Sequence, residues 1–86
     1  MTLDEKADMV TGEPGPCVGN IPPIPRIGFQ GLCMQDGPAA IRVADYASVF
    51  PAGVSVASTW DRTLLYRRGL AMGEEFRAKG AHVFLG

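Results

Sequence analysis

Apolar positions are unevenly spaced along the chain, and the spacing predicts its elements. Leu3, Ala7 and Val10 fall at i, i+4 and i+7, which is one stripe of a helix over 3–11. Thr2 and Glu5 frame its start as a capping box, each side chain placed to bond the other's backbone N–H. Asp4 and Glu5 suit the positive end of a helix dipole, and Gly12 suits its stop. A helix this short must dock on something to persist. Residues 12–28 hold four glycines and five prolines and read as a loop. From Phe29 to Asp36 apolar residues fall on both faces, as in a strand covered on both sides, with Gly31 allowing close packing inside it. The stretch to Pro51 is irregular. Gly53-Val54-Ser55-Val56-Ala57-Ser58 alternates weakly and reads as a short strand.

Asp61 is an N-cap residue for the longest helix. Leu65, Met72 and Phe76 share one face of it, and Leu64 and Leu70 widen that face. Arg62, Arg67, Arg68, Glu74, Arg77 and Lys79 form a mixed-charge, solvated face. Glu75 and Lys79 are an i, i+4 pair in the favoured order. Gly80 ends the helix, and 81–86 begins a strand. Strand, helix, strand is an α/β rhythm.

Composition narrows the function classes. The chain has 86 residues, 47% hydrophobic and 20% charged, which bounds it to one small folded unit. Eight basic and nine acidic side chains give a net charge of −1, so no electrostatic footprint for nucleic acid or an anionic membrane exists. No apolar run approaches the ~20 residues that span a bilayer. Met1 runs directly into a helix start rather than a basic and then apolar leader, so no export signal is expected in the chain as it stands.

Candidate chemistry is sparse. No phosphate loop or dinucleotide fingerprint is present, and no CxxC or Cys/His cluster exists, so no zinc site is expected. Cys17 and Cys33 are either two buried thiols or a disulfide; a bridge would add about 3 kcal/mol and imply an oxidising compartment. His82, the single histidine, reads as a packed or edge residue of a strand. Asp36 ends an apolar strand at an Asp-Gly-Pro turn, and Arg42 follows six residues later. Such a carboxylate can grip two hydroxyls of a sugar, with the guanidinium fork as the complementary donor. The alternative is that Asp36 only bonds its own turn and Arg42 is a surface residue or its ion-pair partner. Trp60 is either a packing anchor or a platform for stacking sugar. No convincing pair of carboxyls about 5–5.5 Å apart, as retaining glycoside hydrolysis needs, can be nominated.

Met1-Thr2-Leu3-Asp4-Glu5-Lys6, Cys17-Val18-Gly19, Cys33-Met34-Gln35-Asp36-Gly37-Pro38, Ile41-Arg42, Phe50-Pro51-Ala52-Gly53-Val54, Thr59-Trp60-Asp61, Met72-Gly73-Glu74-Glu75-Phe76 and Lys79-Gly80 follow one another along the chain. Together they resemble the N-terminal part of glycoside hydrolase family 3, in particular fungal β-glucosidases. The resemblance implies the first strands and helices of a partial (β/α)8 TIM-type barrel, with the rest of the barrel and a C-terminal sandwich domain outside residues 1–86. It implies a secreted parent that hydrolyses terminal β-D-glucosyl residues of β-glucosides or oligosaccharides with retention and without a cofactor. Asp36 and Arg42 would bind glucose in the −1 subsite, and Cys17 would pair with Cys33. The catalytic nucleophile and acid/base of the family lie outside this chain, so the chain alone is expected to be inactive; a few strands of an open barrel leave edges unpaired and faces uncovered, so it is also expected to be marginally stable. Ala40 replaces the family's usual glycine, and would carry strain if its φ were positive. The competing expectations are a small disulfide-stapled protein that holds sugar without turnover, and a truncated gene product without a function of its own.

Overall fold

The computed structural model describes all residues, Met1–Gly86. Helix α1 spans Leu3–Thr11, and strand β1 spans Gly19–Ile21. A 3-10 turn follows at Pro25–Ile27, and strand β2 spans Leu32–Asp36. Helices α2 (Gly53–Ala57) and α3 (Arg62–Ala78) lead to strand β3 (Val83–Leu85). The sheet order is β1-β2-β3. β1 runs antiparallel to β2 with Asn20 opposite Cys33, and β3 runs parallel to β2 with Asp36 opposite Leu85. The crossover from β2 to β3 carries both α2 and α3, so the chain is a small α/β piece built on a βαβ unit.

The capping box of α1 forms as the sequence predicts. Glu5 N donates to Thr2 Oγ1 at 3.2 Å, and Thr2 N donates to Glu5 Oε2 at 2.6 Å. The docking of its apolar stripe does not follow. Leu3 and Val10 stay exposed, and no residue of α1 is buried. A polar tie holds the helix instead. Arg26 grips Glu5 with both arms of its fork, Nε to Oε1 at 2.9 Å and Nη2 to Oε2 at 2.6 Å. That bond, then the Thr2 backbone bond, lowers the Glu5 pKa from 4.5 to about 2. The same bond raises the pKa of Arg26.

Two elements depart from expectation. The loop read over 12–28 contains β1 and the 3-10 turn. Three residues that begin on a glycine and run into a proline are too short to show an alternation, and the pairing with β2 supplies the order. Gly53–Ala57 is helical, not a strand. Val56 is buried while Val54 is exposed, so the two valines do not share a face as they would in a strand. Thr59 Oγ1 and Ser58 Oγ close the turn on the Val56 and Ser55 carbonyls, at 2.7 and 2.8 Å.

β2 is also shorter than 29–36. Gly31 has φ +85, and a Cβ there would stand 2.5 Å from the Ile21 carbonyl oxygen. It does allow the close packing that the sequence suggests, but as a left-handed residue just before the strand rather than inside it. Phe29 pairs with Ile24 in an isolated bridge.

α3 begins on Asp61, whose Oδ1 accepts from Thr63 N and Leu64 N at 2.8 and 3.1 Å. It ends in a Schellman arrangement: Gly80 N donates to Arg77 O and Ala81 N to Phe76 O. Of its apolar face, Met72 and Phe76 are buried, and Phe76 lies 4.1 Å from Phe84, ring centre to ring centre. Leu64, Leu65 and Leu70 remain 41–49% exposed. The Glu75–Lys79 pair does not form. Glu75 Oε1 accepts from Ser48 N at 2.8 Å, and Lys79 Nζ donates to the Asp45 carbonyl at 2.7 Å. Both side chains reach across to the irregular stretch before α2 rather than to each other.

The core is small: Ile24, Ile41, Val56, Met72 and Phe76, with Gln35 the buried polar residue among them. β2, read as covered on both sides, is mostly half-buried. A compact chain of this mass would expose about 4,900 Å² with a radius of gyration of about 12 Å. This chain exposes 6167 Å² with a radius of gyration of 16.0 Å.

Candidate functional site

The site is the C-terminal end of β2 and the turn that leaves it. Asp36 is the last residue of β2, and its register opposite Leu85 is fixed by the parallel ladder. The ladder runs one bond further at each end. His82 N donates to Cys33 O at 2.9 Å, and Gly37 N donates to Leu85 O at 3.0 Å. His82 is the edge residue that the sequence suggests, and its Nδ1 accepts from Cys33 N at 2.9 Å.

The turn that follows allows only glycine at its first position. A Cβ on Gly37 would stand 1.9 Å from the Ala40 carbonyl oxygen and 2.9 Å from Phe76 Cζ. That close approach folds 37–41 back so that Arg42 N donates to Asp36 O at 3.0 Å. Asp36 and Arg42 are thereby joined at both backbone and side chain. Ala40 is not among the residues of positive φ, so no strain attaches to it. The left-handed non-glycine residues lie beyond Arg42: Val43 (φ +53), Tyr46 (φ +53) and Trp60 (φ +55).

The Asp36 carboxylate meets Arg42 Nη1 at 3.6 Å, with the side chains 34% and 66% exposed. A charge-assisted hydrogen bond is shorter, about 2.7–2.9 Å. The two groups are thus paired loosely, and both keep free hydrogen-bonding capacity. An acceptor-only group beside a donor-only group suits a neutral polyol, whose hydroxyls both donate and accept. Neither group lines an enclosed cavity. The largest depression, about 680 Å³, is bounded by Cys17, Cys33, Gln35, Ile41, Tyr46 and Lys79 among others. Neither Asp36 nor Arg42 bounds it.

The charge pattern of α3 places Arg68 on a solvated face. It is a brace instead: Nε donates to the Pro51 carbonyl at 2.7 Å and Nη2 to the Pro38 carbonyl. With Phe50 N on Ala39 O at 2.7 Å, it pins both ends of the stretch that holds Arg42. A lone arginine within a charged helix face carries no sequence signal for this role, because the acceptors are backbone carbonyls 17 and 30 residues away. Trp60 is 92% exposed and anchors nothing within the chain.

Cys17 and Cys33 form a disulfide, Cα to Cα 5.6 Å. Asn20 prepares it: its Oδ1 accepts from Cys17 N and its Nδ2 donates to Cys17 O, at 3.1 and 2.9 Å. The turn is thereby clamped against β1 while Cys33 is held on β2. Gln35 Oε1 accepts from Val18 N at 3.0 Å and ties the same turn to the core. No group of three or more potential metal ligands exists in the structure.

Over its whole length the chain is 77% identical to proteins named probable beta-glucosidase G from Aspergillus flavus and Aspergillus terreus. Its fold matches the solved beta-glucosidase from Chaetomella raphigera over the full chain, with a TM-score of 0.92 and 48% identity. It likewise matches a glycoside hydrolase family 3 beta-glucosidase from Neurospora crassa, with a TM-score of 0.85 and 49% identity. In sequence and fold, the chain matches one segment of fungal β-glucosidases, a family 3 enzyme among them. No protein-family model matches it. The chain spans only 10–11% of the length of these curated relatives and 11–12% of the two solved chains. The family 3 resemblance read from its motifs therefore holds from Met1 to Gly86.

Proposed function

We propose that this chain is the amino-terminal part of the barrel domain of a secreted, retaining β-glucosidase, and that it supplies Asp36 and Arg42 to the glucose subsite. The whole-chain identity of 77% with beta-glucosidase G sequences carries the reading. The site geometry supports it: a carboxylate and a guanidinium stand side by side at the C-terminal end of a parallel strand, where α/β folds bind ligands. The βαβ unit of β2, α2, α3 and β3 is the repeating element of a barrel, with β1 as an antiparallel addition at its margin. The disulfide is consistent with an oxidising compartment.

In this role Asp36 accepts from two hydroxyls of the terminal glucose, and Arg42 donates to an adjacent one. The two residues hold the sugar ring. The carboxyls that break the glycosidic bond would come from the rest of the parent, and neither is assigned to residues 1–86. The experiment is to capture the native protein with an antibody to residues 61–79 and record its intact mass and its hydrolysis of a β-glucoside. A species many times heavier than 9.2 kDa that releases glucose is the expected result. A 9.2 kDa species that binds glucose without turnover would overturn the reading in favour of a small sugar-binding protein.

A further inference from the structure

Residues 38–51, which carry Arg42, form a loop held by α3 rather than by its own backbone. Phe50 N on Ala39 O, at 2.7 Å, closes its base, and Arg68 donates to the carbonyls of both Pro38 and Pro51. From Val43 to Val49 no backbone group bonds another backbone group. Two side chains tie the loop there: Glu75 Oε1 accepts from Ser48 N at 2.8 Å, and Lys79 Nζ donates to Asp45 O at 2.7 Å. Arg68, Glu75 and the C-cap residue Lys79 stand at i, i+7 and i+11, within about 20° of one line along a helix of 3.6 residues per turn. Met72 and Phe76, the buried anchors of α3, lie on the same side, so the helix is fixed where it carries the loop.

The loop does not take its shape unaided. Val43, next to Arg42, and Tyr46 each have a left-handed φ of +53, which a residue with a Cβ keeps only where its surroundings impose it. Glu75 Oε2 is buried without a hydrogen-bond partner, so this carboxylate costs stability where it stands. The Asp36–Arg42 contact, at 3.6 Å, is too long to aim the guanidinium by itself.

We propose that Arg68 and Glu75 are positioning residues of the glucose subsite. Through the 38–51 loop they set where the Arg42 guanidinium stands beside Asp36, and they act through Arg42 rather than on the sugar. The proposal rests on the glucose-subsite reading above and adds what fixes the geometry of that subsite.

The test measures the inhibition constant for glucose, together with Tm, in variants of a full-length β-glucosidase that carries this segment. Arg42→Ala should weaken glucose about tenfold or more, the loss of a hydrogen bond from a charged group. Arg68→Ala and Glu75→Ala should each weaken it by about three- to tenfold, and Glu75→Gln, which keeps an acceptor for Ser48 N, by less than about twofold. In an Arg42→Ala background neither alanine variant should weaken it further, because a residue that acts through another loses its effect when the other is gone. A merely structural role would lower the Tm or the active fraction and leave the glucose constant of the folded enzyme unchanged. Arg68 is only half-buried and alanine is the best helix former, so Arg68→Ala keeps the fold and decides alone should Glu75→Ala fail to fold. An α3 variant that leaves the glucose constant unmoved, or moves it equally with Arg42 removed, overturns the positioning role of that residue. If Asp36→Ala and Arg42→Ala leave it unmoved as well, the glucose-subsite reading falls too.

Discussion

Replacing Gly37 by alanine should disable the site and much of the fold, although it adds one methyl group. The new Cβ would lie 1.9 Å from the Ala40 carbonyl oxygen, where real contacts do not fall below 3.0 Å, so the backbone must move by about 1.1 Å. That shift breaks two hydrogen bonds, Gly37 N to Leu85 O and Arg42 N to Asp36 O, at about 1 kcal/mol each. Pressing against Phe76 adds about 1–3 kcal/mol of overpacking. The expected loss is about 3–5 kcal/mol. Ordinary stability for a chain of this length starts near 4 kcal/mol, and a core of five apolar side chains places this one at the low end. Gly69→Ala is the control. It sits inside α3 with nothing within 4 Å of the added Cβ, and should stabilise by about 0.5–1 kcal/mol. Amide hydrogen exchange of the β2–β3 ladder reads both. Gly37→Ala should speed it by two or more decades, up to the limit of global opening, and Gly69→Ala should slow it. If Gly37→Ala changed exchange by less than about tenfold, the close-packed turn would not be the constraint that holds Asp36 and Arg42 together.

Reducing the Cys17–Cys33 bridge should cost about 3 kcal/mol, felt first at β1 and the Cys17 turn; equal protection of the hairpin amides with and without reductant would refute this. Glu5 sets an acid dependence. Its folded pKa of about 2 lies below the ordinary 4.5, so its tie to Arg26 stabilises fully above about pH 4.5 and is lost as the pH falls toward 2. An NMR titration should show Arg26→Ala returning Glu5 to the ordinary carboxylate range, whereas an unmoved midpoint would assign the shift to something other than the guanidinium.

The parts of the fold legible in the sequence are those whose signals are local. Thr2 with Glu5, Asp61 and Gly80 mark helix ends through bonds made within a few residues, and all three marks hold. Val83–Leu85 shows its apolar run directly. β1 was hidden because three residues cannot display a period, and its order comes from Met34, Cys33 and Leu32 across the hairpin. α2 was misread because Val54 and Val56 fit a strand as well as one turn of helix. At the site, Asp36 and Arg42 were legible from strand-end chemistry and from motif resemblance. The supports were not. Arg68, Glu75 and Lys79 reach distant backbone groups, and a sequence shows only that they are charged. Gly37 was visible as a turn residue, but the close approach of Ala40 O that makes it indispensable is a property of the folded chain. The Leu65–Leu70 end of α3 reads as core from its spacing, and within residues 1–86 it is only about half covered.

The claim that Asp36 holds the sugar is tested most directly by Asp36→Ala in a full-length β-glucosidase that carries this segment, with kcat/KM measured on a β-glucoside. Losing a carboxylate that binds two hydroxyls should cost about 3–6 kcal/mol, a fall of roughly 10² to 10⁴-fold, with the fold and disulfide intact. A variant that keeps its kcat/KM within about threefold would show that Asp36 only closes a turn, and that the glucose subsite lies elsewhere.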